Sequence, residues 1–136
     1  MINKLEQLKE NFAKYNQYHR RLVSLDGCSL CAEGVLAITV GGTIANVPMH
    51  NNIKMILLDG GYYYSTIPGS VYQQLNLPNP IPKTLLLTHQ KQLKLTKFQI
   101  VSINKEFDSF FWHDINDYIN LTFSQFSLLL DLLNEQ

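Results

Sequence analysis

The sequence predicts an α+β fold, with one helix at each end and a run of short antiparallel strands between them. Three observations predict it. An apolar stripe at spacings of three and four runs from Leu5 to Leu22. Short β-branched runs alternate with Gly- and Asn-bearing turns across 35–67. Thr122-Phe123-Ser124-Gln125 has the form of a helix capping box.

The first helix is expected over about 2–24. Leu5, Leu8, Phe12, Tyr15, His19 and Leu22 make its stripe, Lys4, Gln7, Asn11 and Lys14 its polar side, and Gly27 its stop. Such a stripe needs cover, either from the chain's own sheet or from the same helix of a second copy, so a homodimer through it is expected. Residues 35–67 read as a meander of strands at 35–40, 43–47, 53–58 and 62–67. Gly41-Gly42, Asn51-Asn52 and Asp59-Gly60-Gly61 are its turns, Pro48 sits near a strand end, and the apolar run 53–58 is the central strand.

Pro68-Gly69-Ser70 breaks the strand and offers Ser70 as the N-cap of a short inserted helix to about Leu75. A Pro-spaced connection follows over 77–82. Strands are expected to resume over 84–121, at 84–88, 93–103, 109–115 and 118–121, which makes an antiparallel meander of about seven or eight strands in all. The closing helix is expected over about 122–133, with Phe126, Leu129, Leu130 and Leu133 as its apolar face.

The 136 residues suit a single domain, 1–136, and 46% apolar content is enough for one core. Eleven Lys and Arg balance eleven Asp and Glu, so the chain has no overall basic excess to release counterions from a nucleic acid, and such binding is not expected. Near-zero net charge with seven Tyr and seven Phe favours self-association. No run approaches the ~18 apolar residues of a membrane span. The mixed-charge start Met1-Ile2-Asn3-Lys4-Leu5-Glu6 has no secretory pattern, so a cytoplasmic location is expected.

Cys28 and Cys31 have the C-x-x-C spacing of half a zinc site or of a redox pair. The histidines His19, His50, His89 and His113 are scattered singly, and the pair follows a helix instead of opening one after a strand. Two small thiols in a connecting loop account for the spacing, and no metal or cofactor is expected. Tyr62-Tyr63-Tyr64 on a strand presents alternate rings to opposite faces, as exposed interface anchors or as cross-strand packing. Phe107 to Asp114 gathers Phe110, Phe111 and Trp112 beside His113, as an aromatic plug against the last helix or as a partner surface. As strand neighbours, His113 and Asp114 would point to opposite faces and could not act as base and orienter. His113 with Glu106 or Asp108 would need the fold to bring them together. Lys91, Lys94 and Lys97 recur every three residues and suit the protection of a sheet edge.

One stretch carries a family likeness. Met55-Ile56-Leu57-Leu58-Asp59-Gly60-Gly61, then Tyr64-Ser65-Thr66-Ile67, then Val71 to Leu77 resembles the retroviral-type aspartic peptidases over about residues 53–77. The resemblance implies a homodimer in which two Asp59 carboxylates share one proton across a two-fold axis. Asp-Gly-Gly between two strands is equally the chemistry of a tight turn.

No Gly-x-Ser-x-Gly, phosphate loop or His-Glu-x-x-His is present, and the balance of the sequence is against an enzyme. The expected function is therefore that of a small accessory protein that binds another protein. Tyr62, Tyr63, Tyr64, Phe110, Phe111 and Trp112 are its expected anchors. The alternatives are the Asp59 peptidase-like dimer and a small-molecule binding module with a cavity between sheet and helix.

Overall fold

The computed structural model describes residues 3–47, 53–105 and 107–135. Helix α1 spans Lys4–Lys14, and Asn3 caps it by accepting a 2.8 Å hydrogen bond from the Glu6 amide. It ends at Tyr15, which is extended, well short of the predicted end. Asn, Tyr and His crowd the stretch after Lys14 and are mediocre helix formers. There the backbone finds other partners: Asn16–Gln17 (β1) pairs in parallel with Ser29–Leu30 (β2), and Leu22 N–H donates to Tyr64 O at 2.9 Å.

The largest departure from expectation is at 35–40. This run is helix α2, Ala32–Thr39, not a strand. Short apolar runs do not distinguish a strand from a buried helix, and Val35, Ile38 and Thr39 bias the reading towards strand. Burial decides the outcome. Ala32, Val35, Leu36 and Ala37 are fully buried, so no polar face is left to mark a helical period. Gly34 permits the packing, because a Cβ there would stand 2.5 Å from the Leu22 carbonyl oxygen.

The middle of the predicted meander survives. Thr43–Val47 (β3), Ile53–Leu58 (β4) and Gly61–Tyr63 (β5) form an antiparallel sheet in the order β3-β4-β5, with β4 central as its apolar sequence predicts. The Pro48 and Asn51-Asn52 features lie outside the described residues. Asp59 and Gly60 both have positive φ, 50° and 80°, the pattern of a two-residue hairpin turn. β5 stops at Tyr63 because the 16–31 segment takes the Tyr64 carbonyl. Helix α3 runs Gly69–Leu75, as expected within a residue, but Pro68 is its cap and Ser70 lies within it.

The rest of the meander is replaced by helices. Ile81–Pro82 (β6) leads into α4, Lys83–Thr88; α5 is Lys97–Asn104; Ser109–Phe110 (β7) pairs antiparallel with β6; and α6 is Trp112–Asp117. The predicted turn at Asn116-Asp117 lies in or at the end of α6, and 118–121 is not a strand. Helix α7, Phe123–Glu135, closes the chain where predicted, with Thr122 Oγ1 accepting from Gln125 N–H at 3.1 Å and Thr122 N–H donating to Gln125 Oε1 at 2.9 Å. The fold is thus α+β, but among the described residues the strands sit in three small sheets instead of one meander.

Buried side chains from α1, α2, β4, α3, α6 and α7 meet in one apolar cluster. An aromatic column organises it. Phe123 meets Phe12 edge-on at 4.9 Å, Phe12 stacks on Phe126 at 5.4 Å, Phe126 stacks on Trp112 at 5.6 Å, and Trp112 leans on Tyr72 at 6.1 Å. The α1 stripe is covered by α2 and α7 of the same chain: Leu8 and Phe12 are buried with no second copy. Hence the reason given for a homodimer through this helix is gone.

Gly34→Ala forces its new methyl against the Leu22 carbonyl, so unfolding free energy should fall by about 1–3 kcal/mol. Urea unfolding measures it. An unchanged midpoint would show that α2 is free to shift.

Candidate functional site

The sequence candidates separate into surface and core. Phe110 and Trp112 are fully buried, which corrects their assignment as surface anchors. Phe110 pairs against the Pro-rich connection through β7, and Trp112 Nε1–H donates to Pro78 O at 2.8 Å from the start of a helix. Trp112 thus forms an aromatic plug against Phe126 of α7. Tyr63 is half-buried against the core, whereas Tyr62 is 55% exposed and Tyr64 and Phe111 are also exposed. Arg21 lies over the Tyr64 ring at 5.6 Å.

Asp59 is exposed at the tip of the β4-β5 hairpin, where its positive φ serves the turn. Among the described residues no carboxylate, histidine or thiol is brought to it by a hydrogen bond or ion pair. Cys28 is exposed. Cys31 is buried as the N-cap of α2, with its Sγ accepting from Gly34 N–H at 3.4 Å; burial pushes its thiol up to about 12. The thiol is therefore held as a neutral cap. Among the described residues no group of three His, Cys, Asp or Glu side chains is placed to hold a metal ion, and no helix is long and apolar enough to cross a membrane. His50 and Glu106 lie outside the described residues.

Two features escape a reading of the sequence alone. The first is a buried acid. Glu33, on the first turn of α2, is only 2% exposed. The Tyr72 hydroxyl of α3 donates to Glu33 Oε2, while Oε1 meets no well-formed hydrogen-bond donor among the described residues and lies 3.7 Å from His113 Nδ1; the Thr66 side chain also acts to favour the charged carboxylate. Asp114 Oδ1 is 3.3 Å from His113 Nε2. His113 and Asp114 can meet because they occupy the first turn of a helix, not a strand. Burial pushes the Glu33 carboxyl above the ordinary glutamate range, opposed by the Tyr72 phenol and His113. Burial and the neighbouring carboxylate push the Tyr72 phenol up as well. The sequence signal was a lone carboxylate inside an otherwise apolar run.

The second feature is a set of exposed apolar side chains outside the aromatic runs. Phe98 is 87% exposed and Val101 56% exposed on α5; Phe107 and Tyr118 are also exposed, with ring centroids 6.5 Å apart. Helix α5 is held stiffly. Thr96 and Gln99 form a capping box, and the Gln99 and Gln125 side-chain amides exchange hydrogen bonds at 2.7 and 2.8 Å. Gln125 Nε2 also reaches Lys94 O at 2.9 Å, and Gln99 Nε2 reaches Asn120 O at 3.0 Å. Both Gln side chains are buried, so α5 is fastened to the start of α7 by paired polar groups in a dry site. Thr96-Lys97-Phe98-Gln99 is the same S/T-x-x-Q signature as at Thr122, and it could have identified this helix.

The Glu33 carboxyl holds its proton more tightly folded than unfolded. Its contribution to stability is therefore full below the ordinary glutamate range and is lost as pH rises through the folded-state value. Glu33→Gln removes this dependence, so the variant should gain stability relative to the parent chain between about pH 4 and about pH 8. Tyr72→Phe leaves the acid without its donor and should cost about 1–3 kcal/mol. Urea unfolding at both pH values reads both effects, and parallel curves for Glu33→Gln and the parent would refute the assignment.

Comparison with protein-family models, with curated proteins and with solved structures finds no match to this chain, so a functional reading has to come from the geometry just described.

Proposed function

We propose that this chain is a non-enzymatic binding protein that engages another protein through exposed aromatic and aliphatic side chains. One observation carries the reading: Phe98 is 87% exposed on a helix whose opposite side is locked in place. A free apolar ring normally sweeps many rotamers, but its helix is pre-positioned, so binding orders little more than the side chain itself. Tyr62, Tyr64 and Phe111 supply further rings on other parts of the surface, with Phe111 stacked on His113 at 5.7 Å. Rings of this kind concentrate binding energy at interfaces.

A second reading has its own observation. A groove of about 210 Å³ lies between α1, the end of α3 and α7, walled by leucines from all three helices together with the polar side chains of Lys4, Asn76 and Asn134. It lies between helices, not between sheet and helix as the sequence suggested. Its size suits a ligand little larger than one aromatic ring.

Phe98→Ser and Tyr62→Ser should leave the thermal midpoint within a few degrees, because neither side chain is packed. Against a purified partner, identified by crosslinking in the source cell, at least one of them should weaken binding by about tenfold or more. Unchanged affinity in both variants, and in Phe107→Ser and Phe111→Ser, would remove the reading. A small-molecule thermal-shift screen, repeated on Leu130→Trp to fill the groove, tests the second reading.

A further inference from the structure

We infer that the outer face of α5 is a docking site for an acidic protein segment that combines carboxylates with an apolar side chain; this rests on the binding-protein reading and names the partner's chemistry. With Gln99 and Ile103 buried, helical geometry places Lys97, Phe98, Val101 and Lys105 together on the opposite side. All four are exposed, as are Lys91 and Lys94 just before the helix. Among the described residues, Lys91, Lys94 and Lys97 have no carboxylate within ion-pair distance; the one lysine pair is Lys9 with Asp131. A chain whose charges balance overall thus carries four lysines and no acidic residue over 91–105, the stretch that holds its most exposed phenylalanine. The N-terminal end of α5 adds partial positive charge at the Lys97 edge.

The sequence suits Lys91, Lys94 and Lys97 to guarding a sheet edge, but they lie on no strand. A face with an apolar centre and a cationic rim is complementary to a segment that places an aromatic or aliphatic side chain between Asp or Glu residues. Other occupants fit less well. A second copy docked face to face would oppose like charges. Helix α5 is about 12 Å long and presents two apolar side chains, a small wedge for a lipid surface. A nucleic acid would gain phosphate contacts, but the chain's zero net charge gives no long-range attraction to a polyanion.

The test is selection of a displayed library of random 16-residue peptides against the full chain, followed by amide chemical-shift mapping with the enriched peptides made synthetically. The expected peptides carry net negative charge and at least one aromatic or large aliphatic residue, and they shift amides over 94–105. The double variant Lys94→Glu/Lys97→Glu should weaken them about tenfold or more, and Phe98→Ser comparably. Affinity should fall as salt rises. Enriched peptides that are neutral or basic, and lost with Phe98→Ser but indifferent to charge reversal, would overturn the acidic-partner inference while leaving the binding-protein reading intact. No enrichment, shifts confined to other elements, binding of phosphatidylglycerol vesicles in place of peptides, or dimerisation through α5 would each overturn it too.

Discussion

Helix α2 has to be buried on nearly every side, and much of the fold follows from how that is achieved. An eight-residue helix cannot stand alone in water, so its order comes from its surroundings. α1 covers one side, α3 and α6 another, and the β3-β4-β5 sheet a third. The apolar positions need only close packing, which Gly34 permits by letting the Leu22 backbone approach. Glu33 is different. A carboxyl group in that position must be neutral, paired or hydrogen-bonded, and the chain supplies Tyr72 from α3 and His113 from α6 for this. The acid thereby dictates which side chains two neighbouring helices present.

Polar groups recur as joints elsewhere. The reciprocal amide pair between Gln99 and Gln125 couples two capping boxes, so the starts of α5 and α7 are fixed relative to each other. Pro78 and Asn79 hold the start of α6 through Trp112, whose ring extends the column built on Phe126. These joints tie the backbone of α5 to that of α7, so ordering the exposed Phe98 ring would cost little beyond the entropy of the side chain itself.

How much could be read from the sequence depended on whether a local rule or a distant neighbour decided the outcome. The C-terminal helix was legible because Thr122 and Gln125 act on each other, and the hairpin because Asp59-Gly60 sets its own backbone. Leu8 and Phe12 were legible as a buried face. The stretch from Val35 to Val40 was not, since burial all round erases the period and β-branched residues then point to the wrong element. The start of α5 carries a readable cap in Thr96 and Gln99, but the β-branched and apolar run over 93–103 points to a strand. The site residues divide in the same way. Tyr62 and Tyr64 lie exposed, whereas Phe110, paired with β6, and Trp112, stacked on Phe126 of α7, are buried although their run looks identical in sequence to interface anchors. The meeting of Glu33, Tyr72 and His113 depends on three segments distant in the chain, and no local pattern announces it.

Asn116 ties distant parts of the chain together. It is fully buried, and its side chain accepts from Ala32 N–H and Gln17 Nε2 while donating to Tyr18 O and Asp117 Oδ1. Three of these partners lie 84 to 99 positions away along the chain. Closing loops of that length costs entropy before the bonds form. An amide left unsatisfied in the dry interior would be penalised, so these bonds favour the arrangement that seats α6 against the backbone of residues 17–32.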